Sequence, residues 1–123
     1  MSSTFDPSFL MAKLDSNGVQ VWAESYALSV AGVTNIVPTE IRPITGFNTA
    51  VGGTYQTNGG VDNGFVAVAD TAGGIMMAKE ILVDGNATNI TNLIEGEDGT
   101  LWISGLFSKG DSTLYFTTNM TVE

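Results

Sequence analysis

The sequence predicts an all-β protein, and three observations predict it. Polar and apolar residues alternate at the two-residue period of a pleated strand, as in residues 19–25, VQVWAES, where Val19, Val21 and Ala23 interleave with Gln20, Trp22 and Glu24. Tight-turn chemistry punctuates such runs, with SNG at residues 16–18 and TAGG at residues 71–74. Above all, the chain repeats itself: residues 9–24, FLMAKLDSNGVQVWAE, are answered by residues 64–79, GFVAVADTAGGIMMAK. At 123 residues, 43% of them hydrophobic, the chain has the length of one domain with enough apolar material for a core.

The elements follow in order. Asp15, Gly18, Ala23 and Glu24 stand 55 positions before Asp70, Gly73, Ala78 and Lys79, so each copy opens with the same strand, turn and strand. The second halves echo at a spacing of 52: residues 45–55, TGFNTAVGGTY, align with residues 97–107, EDGTLWISGLF, which sets Gly46 near Gly99 and Gly53 on Gly105. The slip from 55 to 52 reads as a small loop deletion. In the second copy, residues 85–95, GNATNITNLIE, form a third strand, EGEDG a turn, and TLWISGLF a fourth strand. In the first copy Pro38 and Pro43 frame TEIR and interrupt any central-strand pairing there. Residues 24–33, ESYALSVAGV, carry a weak helical signal that Gly32 and its β-branched neighbours oppose. A third copy begins at residue 113, where LYFTTN at 114–119 reads like FVAVAD at 65–70. The predicted organisation is one all-β domain: repeat 1 over about 9–63, repeat 2 over about 64–112, and a partial third repeat over 113–123.

Composition narrows the function classes. Thirteen acidic residues face four basic ones, for a formal net charge of −9, and Lys13, Arg42, Lys79 and Lys109 are scattered. Such a surface repels phosphate backbones and anionic lipid, so neither nucleic acid nor a membrane surface is an expected partner. The absence of cysteine excludes disulfides, thiolate metal sites and cysteine nucleophiles. The absence of histidine removes the commonest general base and transition-metal ligand. The N-terminus has no basic stretch ahead of an apolar run, so no signal peptide is expected, and FVAVA and GGIMMA are far short of the roughly 20 residues of a spanning helix. The expected location is a virion or the cytoplasm.

The hairpin FLMAKLDSNGVQVWAES, followed by a glycine turn, a hydrophobic strand and a small-residue ending, GGTY or SGLF, resembles the bacterial β-propeller repeat. That resemblance covers most of residues 9–107 and implies about one four-stranded antiparallel blade per copy, so two blades plus a terminal strand or hairpin; a small β-sandwich is the alternative. Copy two departs from the pattern, with Val68 for Lys13 and Met77 for Trp22. The resemblance implies a fold and a binding platform, with no reaction attached. Propellers close with 4 to 8 blades, so two blades and part of a third call for a partner: three chains in a six-bladed ring, docking into a larger assembly, or a longer chain of which this is a fragment.

Candidate sites are few. In TLYFTTNMTV, Leu114, Tyr115 and Phe116 open a strand that either exchanges into a neighbouring sheet or pairs within its own chain. Trp22, Trp102, Tyr55 and Tyr26 are candidates for stacking on sugar rings, against the commoner reading of core packing. Asp15 to Gly18 resembles the start of a calcium loop, yet Val19, Val21 and Ala23 occupy the positions of its later ligands. Glu95, Glu97 and Asp98 form an acidic cluster better read as a solvated turn, and the 13 acids give no specific carboxylate pair. Asn86, Asn89 and Asn119 begin Asn-x-Thr triplets in an Asn- and Thr-rich chain. No catalytic residue, metal or cofactor is therefore assigned. The expected function is that of a non-catalytic structural or interaction subunit of a larger symmetric assembly, in particular a phage virion component of decoration, neck or fibre type. The alternative is an oligomeric lectin binding glycans at clefts between blades.

Overall fold

The carboxylate of Asp15 builds the first turn, because its Oδ1 accepts the backbone N–H groups of Asn17 at 2.8 Å and Val19 at 2.9 Å while Gly18 takes a φ of 82°. Asp70 builds the second in the same way, accepting from Ala72 and Gly74 at 2.9 Å each, with Gly73 at φ 91°. The computed structural model describes residues 8–28, 32–46, 48–58 and 62–122. Its strands are β1 (Ser8–Leu14), β2 (Gln20–Ala27), β3 (Val33–Ile44), β4 (Asn48–Thr57), β5 (Asp62–Ala69), β6 (Ile75–Val83), β7 (Asn86–Glu95), β8 (Thr100–Lys109) and β9 (Ser112–Thr121), with one 3-10 turn at Glu97–Gly99. The fold is all-β, with no α-helix among the described residues.

The repeat is a repeat of register. Lys13 faces Trp22 and Leu14 faces Gln20 across a bulge in β1–β2; 55 positions on, Val68 faces Met77 and Ala69 faces Ile75 across the same bulge in β5–β6. In the second halves Pro38 faces Gly53 and Glu40 faces Gly52, while 52 positions on Ile90 faces Gly105 and Asn92 faces Ser104. The extra residue of each bulge is a threonine, Thr39 or Thr91, whose hydroxyl donates at 3.3 Å to the carbonyl of Gly52 or Ser104. Glycine is required opposite both bulges, since a Cβ on Gly53 would land on the carbonyl oxygen of Val37 and one on Gly105 on that of Asn89. Pro38 and Pro43 are accommodated because β3 is an edge strand, where a missing N–H leaves no ladder bond unmade.

Strand pairing groups these hairpins differently from the sequence. β1 and β2 form a two-stranded sheet of their own, and β3 to β9 follow one another in an antiparallel meander of seven strands. That meander is joined at β6–β7 by only two pairs, Leu82 with Ala87 and Val83 with Asn86, across a turn where Asp84 and Gly85 have φ of 51° and 76°. β7 then leaves β6 and packs across β3, β4 and β5, so the meander doubles back on itself. The expectation that one copy's four strands make one sheet is therefore corrected for copy one, whose β1–β2 hairpin stands apart from β3–β4, whereas β5 to β8 of copy two are consecutive strands of the meander, joined at β6–β7 by those two pairs alone. The four-stranded unit β3–β6 joins the second hairpin of copy one to the first hairpin of copy two. No closed barrel or ring forms among the described residues.

The result is three layers with two cores, and the reason lies in β4 and β5. All residues from Ala50 to Tyr55 and from Gly64 to Ala69 are buried, so both strands are covered on both faces. On one face Val51, Tyr55, Phe65 and Ala67 pack against Phe9, Met11 and Tyr26 of β1–β2. On the other, Ala50, Val66 and Val68 pack against Ile90, Leu93, Leu101 and Ile103 of β7 and β8. Close approach of β7 depends on small residues beneath it: a Cβ on Gly52 would lie 2.9 Å from Ile90 Cγ2, and one on Gly64 would lie 3.0 Å from Ile90 Cδ1.

The last strand corrects the alignment of the third copy. Gly105 faces Phe116 as Gly53 faces Phe65, so Phe116, rather than Leu114, holds the place of Phe65. A two-residue slip keeps every side chain on its face, which is why alternation alone gave no sign of it.

Candidate functional site

A cleft of about 420 Å³ opens between the first and middle sheets, with Phe9, Tyr26, Tyr55 and Phe65 as its floor and Lys79 and Glu80 at its rim. Each ring is placed by strand period. Phe9 of β1 and Tyr26 of β2 are cross-strand partners with centroids 5.3 Å apart, and Phe65 of β5 meets Phe9 at 5.7 Å. Glu80 of β6 is the register partner of Phe65, which carries its carboxylate to the mouth of the cleft, where it accepts the Tyr55 hydroxyl. Burial, then that hydrogen bond and the negative charge of Glu80, push the Tyr55 phenol up to about 12. The Tyr26 hydroxyl donates at 2.6 Å to the Gly73 carbonyl, and burial, followed by the charges of Glu24 and Asp70, also raises its pKa. Such a cleft can pack a flat apolar face on its rings and offer the Glu80 carboxylate at its edge.

Of the four sequence-predicted stacking residues, Tyr26 and Tyr55 line this cleft together, and the two tryptophans lie outside it. Trp22 lies on β2, donating its indole N–H at 3.0 Å to the Thr71 carbonyl and covering Gly73, so it fastens the first hairpin to the turn of the second. Trp102, 42% exposed, lies on the far side of β8 against Gly96, in register with Ile94 and Asn119. Phe9, Phe65 and Glu80 were not singled out in the sequence, although the register of the two opening hairpins, once drawn, puts Phe9 against Tyr26 and Phe65 against Glu80.

The residues of the terminal strand pair within the chain: Leu114 with Phe107, Tyr115 with Leu106 and Phe116 with Gly105. Phe116 turns inward to meet Phe107 edge to face at 6.3 Å, whereas Tyr115 is 87% exposed. Among the acids of the second copy's turn, Glu95 accepts the Thr45 backbone N–H at 2.8 Å, which holds its carboxyl below the usual range. Among the described residues no group of three or more His, Cys, Asp or Glu side chains is placed to hold a metal ion, and no helix is long and apolar enough to cross a membrane. In comparisons with protein-family models, curated proteins and solved structures, none matches the chain.

Proposed function

We propose that the protein is a non-catalytic structural subunit of a larger symmetric assembly, of the kind that decorates or connects the parts of a phage virion. One observation carries the reading. The strands β1, β5 and β9 are equivalent by register, β5 is paired on both sides, and β1 and β9 are each paired on one side only among the described residues. Unpaired strand edges are templates for another chain. Exposed apolar side chains accompany them, since Leu10, Leu14, Val19 and Val21 are each more than half exposed on the first hairpin. Propeller-like ring closure by several chains remains part of this proposal, supported by the stacking of repeat-derived sheets face on face. The test is solution mass by light scattering over a wide concentration range. A closed oligomer of fixed size supports the reading, and a monomer at every concentration overturns it.

A second reading is favoured by the cleft between the first two layers: a lectin-like oligomer packing a sugar face on Tyr26 and Tyr55, with Glu80 hydrogen bonding to hydroxyls. Saturable glycan binding that is lost in Tyr55→Ala and kept in Trp102→Ala supports it, and binding unaffected by Tyr55→Ala overturns it.

A further inference from the structure

We infer that copies of this chain join edge to edge, the free edge of β9 in one copy seating in an open slot beside β1 of the next. The inference rests on the assembly reading and names its joint. The slot is what the repeat leaves unfilled. On β5 the edge equivalent to the free edge of β1 is taken by β4, and on β9 it is taken by β8. At β1 no described strand takes it, and two adjoining grooves of about 340 and 300 Å³ run there between β1 and β3. Their walls are mostly apolar, with Leu10 and Ala12 on one side, Pro38, Ile41 and Pro43 on the other and Val51 beneath, and with Lys13 and Glu40 among the polar residues that also line them. Leu10 is 69% and Ile41 53% exposed, although Ile41 is the register partner of fully buried Val51. A two-stranded sheet is too narrow to cover the four-stranded one below it, so the part of that face under β3 stays bare.

The occupant is identified by the character of the remaining edges. Natural edge strands are protected by charge, proline or bulges. β3 carries Pro38, Pro43 and two bulges, β6 carries Lys79 and Glu80, and β2 carries Glu24. β9 carries none of these protections. Over ten residues, STLYFTTNMT, it has no charge, no proline and no glycine, and its register with β8 runs without a bulge. It is the longest unprotected edge in the described fold and the natural strand to add to another sheet. A joint between two β9 edges would leave the slot beside β1 bare in every copy. A β9 edge in the β1 slot satisfies both edges and repeats from copy to copy, as a heterologous contact that generates rings or filaments.

Amide hydrogen exchange on the unmodified chain, followed with light scattering from dilute to concentrated solution, tests this. Successive N–H groups of a strand point to opposite sides, so an edge that gains a partner shows slowing at alternate residues. As mass rises, alternate amides of both β1 and β9 are expected to slow by about tenfold or more, while those along the free edges of β2 and β3 do not. Slowing on β9 alone means two β9 edges have paired and overturns the joint. Protection of the β1 edge at every dilution means that the chain fills its own slot, which also overturns it. Mass that rises with no change at either edge overturns the joint while the assembly reading stands, and mass that never rises removes the reading on which the joint rests.

Discussion

The hydroxyl of Thr39 donates at 2.8 Å to the carbonyl of Ile90, and so ties the bulge of β3 to the strand that crosses above it. The same hydroxyl reaches Gly52 at 3.3 Å, so one side chain links the edge of the middle sheet to its neighbour and to the layer above. Among the described residues Thr91, its equivalent, has only the bond within its own hairpin. Thr39→Val should therefore cost about 1 kcal/mol or more, the value of a half-buried hydrogen bond plus an acceptor left without a partner. Thr91→Val should cost less than half of that. Urea unfolding midpoints of the two variants check the asymmetry, and equal losses would show that the link between layers contributes nothing.

Gly53 and Gly105 are equivalent glycines that both face a carbonyl oxygen of the partner strand. Backbone cannot yield as a side-chain end can, so Gly53→Ala and Gly105→Ala should each destabilise by roughly 3 kcal/mol or more, within a factor of two of one another. Gly52→Ala meets the tip of Ile90 instead, at 2.9 Å, and should cost about 1–3 kcal/mol as that side chain shifts. Thermal unfolding of the three variants gives the ranking.

The two aspartate turns are alike in hydrogen bonding and unlike in what rests on them. Asp15→Ala removes a carboxylate accepting two backbone N–H groups on an exposed hairpin end. Asp70→Ala removes the same bonds from a turn on which Trp22 and Tyr26 also dock. The first should cost about 1 kcal/mol and the second about twice that. Trp22 fluorescence, read in a Trp102→Phe background, should change on unfolding of the Asp70 turn and stay native in Asp15→Ala.

Alkaline pH should loosen the cleft through Tyr55. Its phenol sits at about 12 in the fold against an ordinary value of 10.0, so the native state holds the proton more tightly than the unfolded chain. Its contribution is whole below pH 10 and is lost as pH rises toward 12. Tyr55→Phe should flatten that part of the stability profile, as measured by chemical denaturation between pH 9 and 11.5. An unchanged slope would show that the fold does not raise the Tyr55 phenol.

The second-half spacing of 52 was legible because it is carried by Gly53 and Gly105, whose place opposite a bulge admits few substitutes, whereas the equivalence of Thr39 and Thr91 within the bulges emerged only from the register. The opening hairpins were legible for a similar reason, since Asp15 and Asp70 fix their turns by local hydrogen bonds that any reading of the chain contains. The aromatic cleft was only half legible. Tyr26 and Tyr55 stood out as rings, but their meeting with Phe9, Phe65 and Glu80 depends on the approach of two separate sheets.

The sequence by itself determined the all-β class, the positions of the turns and the repeat, because alternation and turn chemistry act over a few neighbouring residues. Only the tertiary structure decided which hairpins share a sheet. Period-two alternation is compatible with any neighbour, so the choice between pairing β4 with β5 and keeping each copy's strands together lay in burial. The residues that settle it are the unbroken runs of small and apolar side chains in AVGGTY and GFVAVA, which suit strands covered on both faces and would be poorly placed at the border of a sheet. With those strands in the middle, the outer hairpin and the last three strands close over them, and β1 and β9, like β2 and β3, are left with a free edge in the described fold.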